Sequence, residues 1–261
     1  MSRIRLIALF TLLIGSNLIS FGQQIQGSSL STPKEYYLQV KQFGEFIDRF
    51  NYKSDWKGNL ISDEFKKKIS RTSYLAYLLN AEDPRLSNST DSSYRKICSE
   101  FIEYIADSMA PKTISLYSGQ VKALAKVNIT YNGKDNQVNM ELIPEVLSDR
   151  SVKWVISNID TDVFKFNPDS LQKYFIAPNS HETNFINIRK LNSTNNPYYF
   201  TSTSLTKTIL FLKEVEQKRI TIQNTQSVTY YINFPGWQIT VEEFNRTSNN
   251  SGWLISDIRK I

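Results

Sequence analysis

One short block of residues occurs twice in this sequence, and it limits the folds that the chain can adopt. Residues 154–159 (WVISNI) match residues 253–258 (WLISDI). Residues 137–141 (QVNME) and 238–242 (QITVE) match in the same order upstream of these blocks. Only 4 tryptophans occur in 261 residues, so chance similarity between two amphipathic strands is the weaker explanation. The pattern predicts an internal duplication in which a Trp-containing strand closes each copy.

The segment before the first block has the pattern of a β-meander. Apolar and polar residues alternate over 121–131 with a period of two, which is typical of a half-buried strand. Asn132-Gly133 follows, and because both residues tolerate a positive φ we expect a hairpin there. Further strands are predicted around 138–142 and 152–156 in the first copy. Strands of the second copy are predicted at 228–232, 237–241 and 253–255, with a turn at Pro235-Gly236.

Helical spacing of apolar residues comes before the strands in both copies. It predicts helices at about 34–50, 63–79 and 94–105, and a later helix with Leu205, Ile209 and Leu212 on one face. Helices followed by an antiparallel meander favour a fold in which the helices pack on one face of a sheet. The expected class is therefore α+β.

This order of elements resembles the nuclear transport factor 2-like superfamily, which includes ketosteroid-isomerase-like and cystatin-like cone folds. The resemblance rests on a long first helix with aromatic residues, further helices, and a curved meander that ends in Trp-x-Ile. It is closest over 121–159, extends in order over 34–159, and is weaker over 163–261. It looks like that of exported bacterial members with no assigned activity. It implies a cone-shaped sheet whose mouth can hold a small ligand, and it implies no reaction.

The sequence thus predicts two tandem cone-like domains, each with helices packed on its own curved antiparallel sheet. The first covers residues 34–162 and the second, shorter one covers 163–261, with the boundary in the polar turn at Asp160–Asp162. Each is long enough for a core, so residues 23–162 are expected to fold alone. Trp154 and Trp253 are expected to be largely buried at equivalent places on the two last strands.

The first 22 residues have the features of a cleavable signal peptide. Arg3 and Arg5 precede an apolar stretch, and small residues lie near the expected cleavage site. The stretch is interrupted at residues 15–17, so it is a poor match to the roughly 20 apolar residues of a membrane-spanning helix. We expect an exported protein in the periplasm, on the cell surface or outside the cell. Residues 23–33 form a flexible lead-in, and no transmembrane segment remains after cleavage.

Few residues suggest chemistry. Cys98 is the single cysteine and lies on the apolar stripe of its helix, which indicates a structural core residue. His181 is the single histidine, so a histidine-based metal site is excluded, and the residue is a weak candidate for ligand binding. Tyr198, Tyr199 and Phe200 form an aromatic run that could stack on a sugar or anchor a protein, or could fill the space under a loop.

Other motifs argue against several classes of function. Asp160 and Asp162 could supply oxygen ligands, but the further ligands and the glycine of a calcium loop are missing, so we predict no metal. No cofactor motif is present. The net charge of +6 falls to +4 when Arg3 and Arg5 are removed with the signal peptide. That charge is mild and forms no clustered basic face, which argues against a nucleic-acid partner.

The leading hypothesis is an exported, non-enzymatic binding or interaction module. Its partner would be a small molecule, a glycan or a protein. Two alternatives stay open: an enzyme that uses the cone of the first domain for acid/base chemistry, and a structural protein that forms a homodimer through its sheets.

Overall fold

A computed structural model describes residues 40, 42–88, 90–164, 189, 191–192, 194–195 and 197–261 of the chain. The predicted signal peptide, the predicted lead-in and His181 lie outside the described residues, as does the first part of the helix predicted from residue 34. The predictions that concern them therefore stay predictions.

One antiparallel sheet of six strands runs through both halves of the chain, in the order β3-β2-β1-β4-β5-β6. The pairing of β1 with β4 joins two three-stranded meanders through their first strands. The α+β class is thus confirmed, whereas the prediction of two separate sheets is wrong. The strands are β1 (Val121–Tyr131), β2 (Lys134–Val146), β3 (Val152–Asp160), β4 (Ile220–Phe234), β5 (Trp237–Phe244) and β6 (Gly252–Lys260).

The two predicted tight turns lie where the sequence places them. Asn132 and Gly133 connect β1 to β2 with φ values of 49° and 74°. Gly236 connects β4 to β5 with a φ of 75°. Left-handed backbone is tolerated by asparagine and glycine with little steric cost, so these residues fix both hairpins.

The described helices differ from the predicted ones in length, in continuity and, in one case, in the face that is buried. In the helix that contains Leu205, Ile209 and Leu212 the predicted face is wrong: Leu205 and Leu212 are 44% and 49% exposed, whereas Thr206, Thr208 and Phe211 are buried. The predicted helix at 63–79 is two short helices, because Ser70 has extended backbone and its side chain accepts a hydrogen bond from the Ser73 amide at 3.1 Å. Val40 is not helical but forms a bridge to Gly252. The helices are α1 (Phe43–Phe50), α2 (Asp63–Lys68), α3 (Arg71–Ala76), α4 (Pro84–Ser87), α5 (Ser93–Ala106), a 3-10 helix (Pro197–Phe200) and α6 (Thr203–Glu216).

The helices of the first half cover the strands of the second half. Phe50 of α1 stacks on Phe234 at the end of β4, with ring centroids 5.7 Å apart. Phe101 of α5 contacts the same ring at 5.9 Å and Trp237 of β5 at 5.5 Å. These side chains belong to one apolar core, which also contains Ile239, Val241 and Ile258. Burying aromatic rings at these contacts stabilises this end of the sheet.

The helix of the second half covers the strands of the first half. Phe211 of α6 is buried in a second core with Val127, Val138 and Ile159. The Oγ1 of Thr208, also on α6, accepts a hydrogen bond from the Ile159 amide at 3.0 Å. Each helical layer therefore packs on the meander of the other half. This arrangement does not support the expectation that residues 23–162 contain a complete core of their own.

Trp154 and Trp253 occupy different environments, which corrects the expectation for Trp154. Trp253 is 9% exposed and lies in the first core beside Phe43, whereas Trp154 is 37% exposed on edge strand β3. The Trp154 ring leans across the sheet to within 5.8 Å of the Tyr230 ring, and no helix covers its outer side within the described residues. The two tryptophans differ because different helices pack on their strands. Phe43 of α1 contacts Trp253 on β6, whereas α6 contacts β3 near Ile159 and not near Trp154.

The two meanders nevertheless share a local irregularity. A β-bulge lies at Ser157 in β3 and at Ser256 in β6. The Ser157 Oγ donates to the Glu141 carbonyl at 3.2 Å, and the Ser256 Oγ donates to the Thr240 carbonyl at 3.4 Å. Glu141 therefore corresponds to Thr240, and not to Glu242 as the match between residues 137–141 and 238–242 suggested.

Candidate functional site

Cys98 lies in the core of the first helical layer. Its side chain is fully buried, at 0% exposure. Burial raises the pKa of the Cys98 thiol to about 12, against the smaller lowering effect of a hydrogen bond with Tyr94. A thiol that stays protonated and inaccessible cannot act as a nucleophile at neutral pH.

The aromatic run at Tyr198–Phe200 forms the 3-10 helix that precedes α6. The Tyr198 carbonyl accepts hydrogen bonds from the Thr201 amide at 3.0 Å and from the Thr206 Oγ1 at 2.9 Å. The Tyr198 and Phe200 side chains are half-buried, while the side chain of Tyr199 lies outside the described part of the chain. These contacts position the start of α6, and they bring neither Tyr198 nor Phe200 to a described groove.

Asp160 and Asp162 do not form a metal centre with other described residues. The Asp160 Oδ1 lies 3.2 Å from the Nζ of Lys207, so it pairs with a cation that the protein itself supplies. Across the described ranges, no three His, Cys, Asp or Glu side chains are grouped so that they could hold a metal ion. Nor is any described helix both long enough and apolar enough to cross a membrane.

The two faces of the sheet differ sharply. Apolar side chains from the helices fill most of the helix-side face with the two cores. On the opposite face, alternation along β1 places Lys126, Asn128 and Thr130, whose side chains are exposed or half-buried. We call it the open face. A ligand can reach it without displacing the core.

An open groove of about 650 Å³ lies on the open face where β1, β2 and β4 meet. Two β-bulges in β4 shape it, because the pairing with β1 skips Gln226 and then Gln223. Bulges redirect side chains, and here they add Gln223 and Gln226 to the face that already carries Asn224. The groove is lined by Asn128, Ile129, Asp135, Asn136, Gln137, Gln223 and Asn224.

Amide side chains in this groove are bonded to one another across the strands. The Asn128 Nδ2 of β1 donates to the Asn224 Oδ1 of β4 at 2.9 Å, and the Gln137 Nε2 of β2 donates to the Asn128 Oδ1 at 3.3 Å. Gln137 also bonds to Gln226. We call this chain of contacts the amide ladder. It fixes the orientation of the amides before any ligand arrives.

The same hydrogen bonding continues towards the β1–β2 hairpin. The Gln223 Nε2 donates to the Thr130 Oγ1 at 2.9 Å, and that hydroxyl donates to the Asp135 Oδ1 at 3.0 Å. Asp135 is the only formally charged side chain among the residues that line the groove. A neighbouring hollow of about 230 Å³ shares Asn136 and Gln137 and reaches Asp160 and Asp162.

The chemistry of the groove is that of neutral hydrogen bonding. Each amide offers two donors and an acceptor, so the lining can bond to groups that both donate and accept. No lysine or arginine lines the groove, which leaves an anionic ligand without a counter-charge. Asp135 is the one titratable side chain in this lining, which holds no histidine, cysteine or tyrosine to act with it as a nucleophile or second acid.

No family model, curated protein or solved structure matches this chain. The inference of function therefore rests on the site itself.

Motif analysis of the sequence did not find this groove. Its residues are spread over three strands and form no short motif. One signal was available: residues 222–226 (IQNTQ) place three amides within five positions of a strand, although asparagine is depleted in strands. A polar run that breaks strict alternation predicts a bulge, and bulges are enriched beside functional sites.

Proposed function

We propose that this protein is an exported, non-enzymatic binding module that holds a neutral, hydroxyl-rich ligand of the glycan class in the amide groove. The observation that carries the proposal is the amide ladder, in which two bulges of β4 bring extra amides to one face. Adjacent sugar hydroxyls both donate and accept hydrogen bonds, which matches the capacity of Asn128, Gln137 and Asn224. The export half of the proposal rests on the sequence of residues 1–22.

The exposure of the groove sets the expected affinity. Hydrogen bonds to water are exchanged for hydrogen bonds to the ligand, so each contributes only about 1 kcal/mol net. The ligand also loses translational and rotational freedom on binding, so we expect a Kd of about 1 mM or weaker for a single sugar unit. Such a module reaches useful affinity through repeated sugar units or through several copies of the protein.

The test is a titration of the purified protein with a panel of neutral oligosaccharides, followed by NMR chemical-shift changes. We expect saturable shifts confined to the strands around Asn128, Gln137 and Asn224. Gln137→Ala removes the amide that bridges β2 to β1 and β4, and the loss of about 1 kcal/mol should weaken binding about fivefold.

Gln238→Ala is the matched control. Gln238 is an amide on the open face of β5, bonded to Asn233 at 2.7 Å and to Arg259, and it lies outside the groove lining. Its loss should leave binding unchanged. The proposal is overturned if no oligosaccharide shifts the groove resonances at millimolar concentration, or if Gln137→Ala and Gln238→Ala behave alike.

We also propose that the chain belongs to the nuclear transport factor 2-like superfamily. Its two halves would then descend from one duplicated cone-like unit. The shared bulges at Ser157 and Ser256 support the duplication. An enzyme acting inside the cone of the first domain has less support, since Phe211 of α6 packs on the helix-side face of β1–β3 where that pocket would open.

A further inference from the structure

The two edge strands of the sheet, β6 and β3, differ in how far other segments of the chain bond to their outer backbone groups. At the β6 edge, the Trp253 amide donates to the Val40 carbonyl at 2.9 Å and the Ile255 amide donates to the Leu78 carbonyl at 2.8 Å. Gly252 allows this close approach, because a Cβ there would lie 2.1 Å from the Val40 carbonyl oxygen. The β6 edge is thus covered by segments of the first half.

Among the described residues, the β3 edge is covered only at its far end. The Ile159 amide points away from β2 and donates to the Thr208 Oγ1 at 3.0 Å. Ladder pairs alternate, so the register with β2 also directs the backbone groups of Ile156, Trp154 and Val152 away from β2. Within the described residues, no backbone group bonds to this outer side of Val152–Ile156.

The uncovered part of β3 has an apolar face as well as free backbone groups. Val152, Trp154 and Ile156 lie on the helix-side face, and Trp154 and Ile156 are 37% and 39% exposed. Edge strands are usually protected by inward-pointing charges or proline. The nearest charge, Lys153, lies on the open face and pairs with Glu145 at 3.0 Å.

We propose that residues 152–156 form an interface between two copies of this chain, paired as antiparallel strands about a two-fold axis at Trp154. The two six-stranded sheets then continue into one. Val152 lies opposite Ile156 of the second copy, and Trp154 lies opposite its own equivalent. All six side chains of the helix-side strip are apolar, so the segment is complementary to itself.

Charge and shape support a second copy as the occupant. In this register Lys153 lies opposite Val155 of the second copy, so the two lysines avoid direct opposition and each keeps Glu145. The bulge at Ser157 and the contact of Ile159 with Thr208 end the pairing on one side. The β2–β3 hairpin, closed by the Leu147 amide and the Ser151 carbonyl at 2.8 Å, ends it on the other.

Sedimentation velocity of the purified protein over a range of concentrations tests the interface. We expect twice the mass of a single chain at high concentration. Ile156→Pro removes an N–H that points out of the sheet, so the fold tolerates it while the pairing does not. Ile156→Val is the matched control and should keep the dimer. A protein that stays at single-chain mass, or an Ile156→Pro variant that folds and dimerises as before, would overturn the proposal.

Cysteine substitution tests the register independently of Ile156→Pro. Directly paired residues have Cα atoms about 5.5 Å apart, which is within disulfide reach. Trp154→Cys should therefore form an intermolecular disulfide under mild oxidation. Val155→Cys should stay reduced, because it lies opposite Lys153. The buried Cys98 does not compete. Cross-linking at 155 and not at 154, or at neither position, would contradict the proposed pairing.

Discussion

The two meanders of the sheet carry the same local features but are stabilised unequally. Both have a serine bulge next to a Trp-x-Ile segment, yet Trp253 is 9% exposed and Trp154 is 37% exposed. The difference arises from the helices that pack on each meander. In the described residues, β4–β6 pack under helices of the first half, whereas β1–β3 pack under α6. A repeated sequence therefore specifies a repeated strand, and another part of the chain decides whether that strand is buried.

The largest expected effect follows from the exchange of helices between the halves. Residues 23–162 expressed alone keep α1 and α5 but lose Phe234 and Trp237, against which Phe50 and Phe101 pack. We expect this fragment to lack a cooperative thermal transition by circular dichroism. Co-expression with residues 163–261 should restore one. Cooperative melting of the fragment alone would show that the first half contains a sufficient core of its own.

The sequence could predict the local elements of the fold but not how they pack together. Alternation over Val121–Tyr131 and the Asn132-Gly133 turn are local signals, and the structure has the strand and the hairpin where they were predicted. Which helix covers which strand depends on contacts between residues far apart in the chain, such as Phe50 with Phe234. Periodicity does not give the partner of a helix, and for α6 it did not give the buried face either, since Phe211 is buried whereas Leu205 and Leu212 are exposed. The order of elements alone therefore suggested two separate domains.

A smaller effect separates the two tryptophans. Trp253→Ala removes a buried ring from the core and should lower the free energy of unfolding by about 3–5 kcal/mol. Trp154→Ala removes a half-covered ring and should cost about 1 kcal/mol. Urea denaturation measures both, at protein concentrations low enough to keep the chain monomeric. Equal costs would contradict the unequal cover and favour the original expectation of two equivalent core positions.

The candidate site was less predictable than the fold. Residue type alone favoured Tyr198 and Phe200 as candidates for ligand binding. The contacts of Tyr198 instead position α6, and Cys98, the single cysteine, lies in the core. The groove depends instead on the register of three strands and on two bulges in β4. Register is set by long-range pairing, and a shift of one residue would move the amides to the other face.

The central claim is that first-half helices pack on second-half strands, and a double-mutant cycle between Phe50 and Phe234 tests it most directly. Their rings are stacked 5.7 Å apart. We predict that Phe50→Ala and Phe234→Ala are coupled by about 0.5–1.5 kcal/mol in the free energy of unfolding. Phe50 and Phe211 lie in different cores, so the control cycle between them should give a coupling near zero. A coupling near zero for Phe50 and Phe234 would contradict the claim.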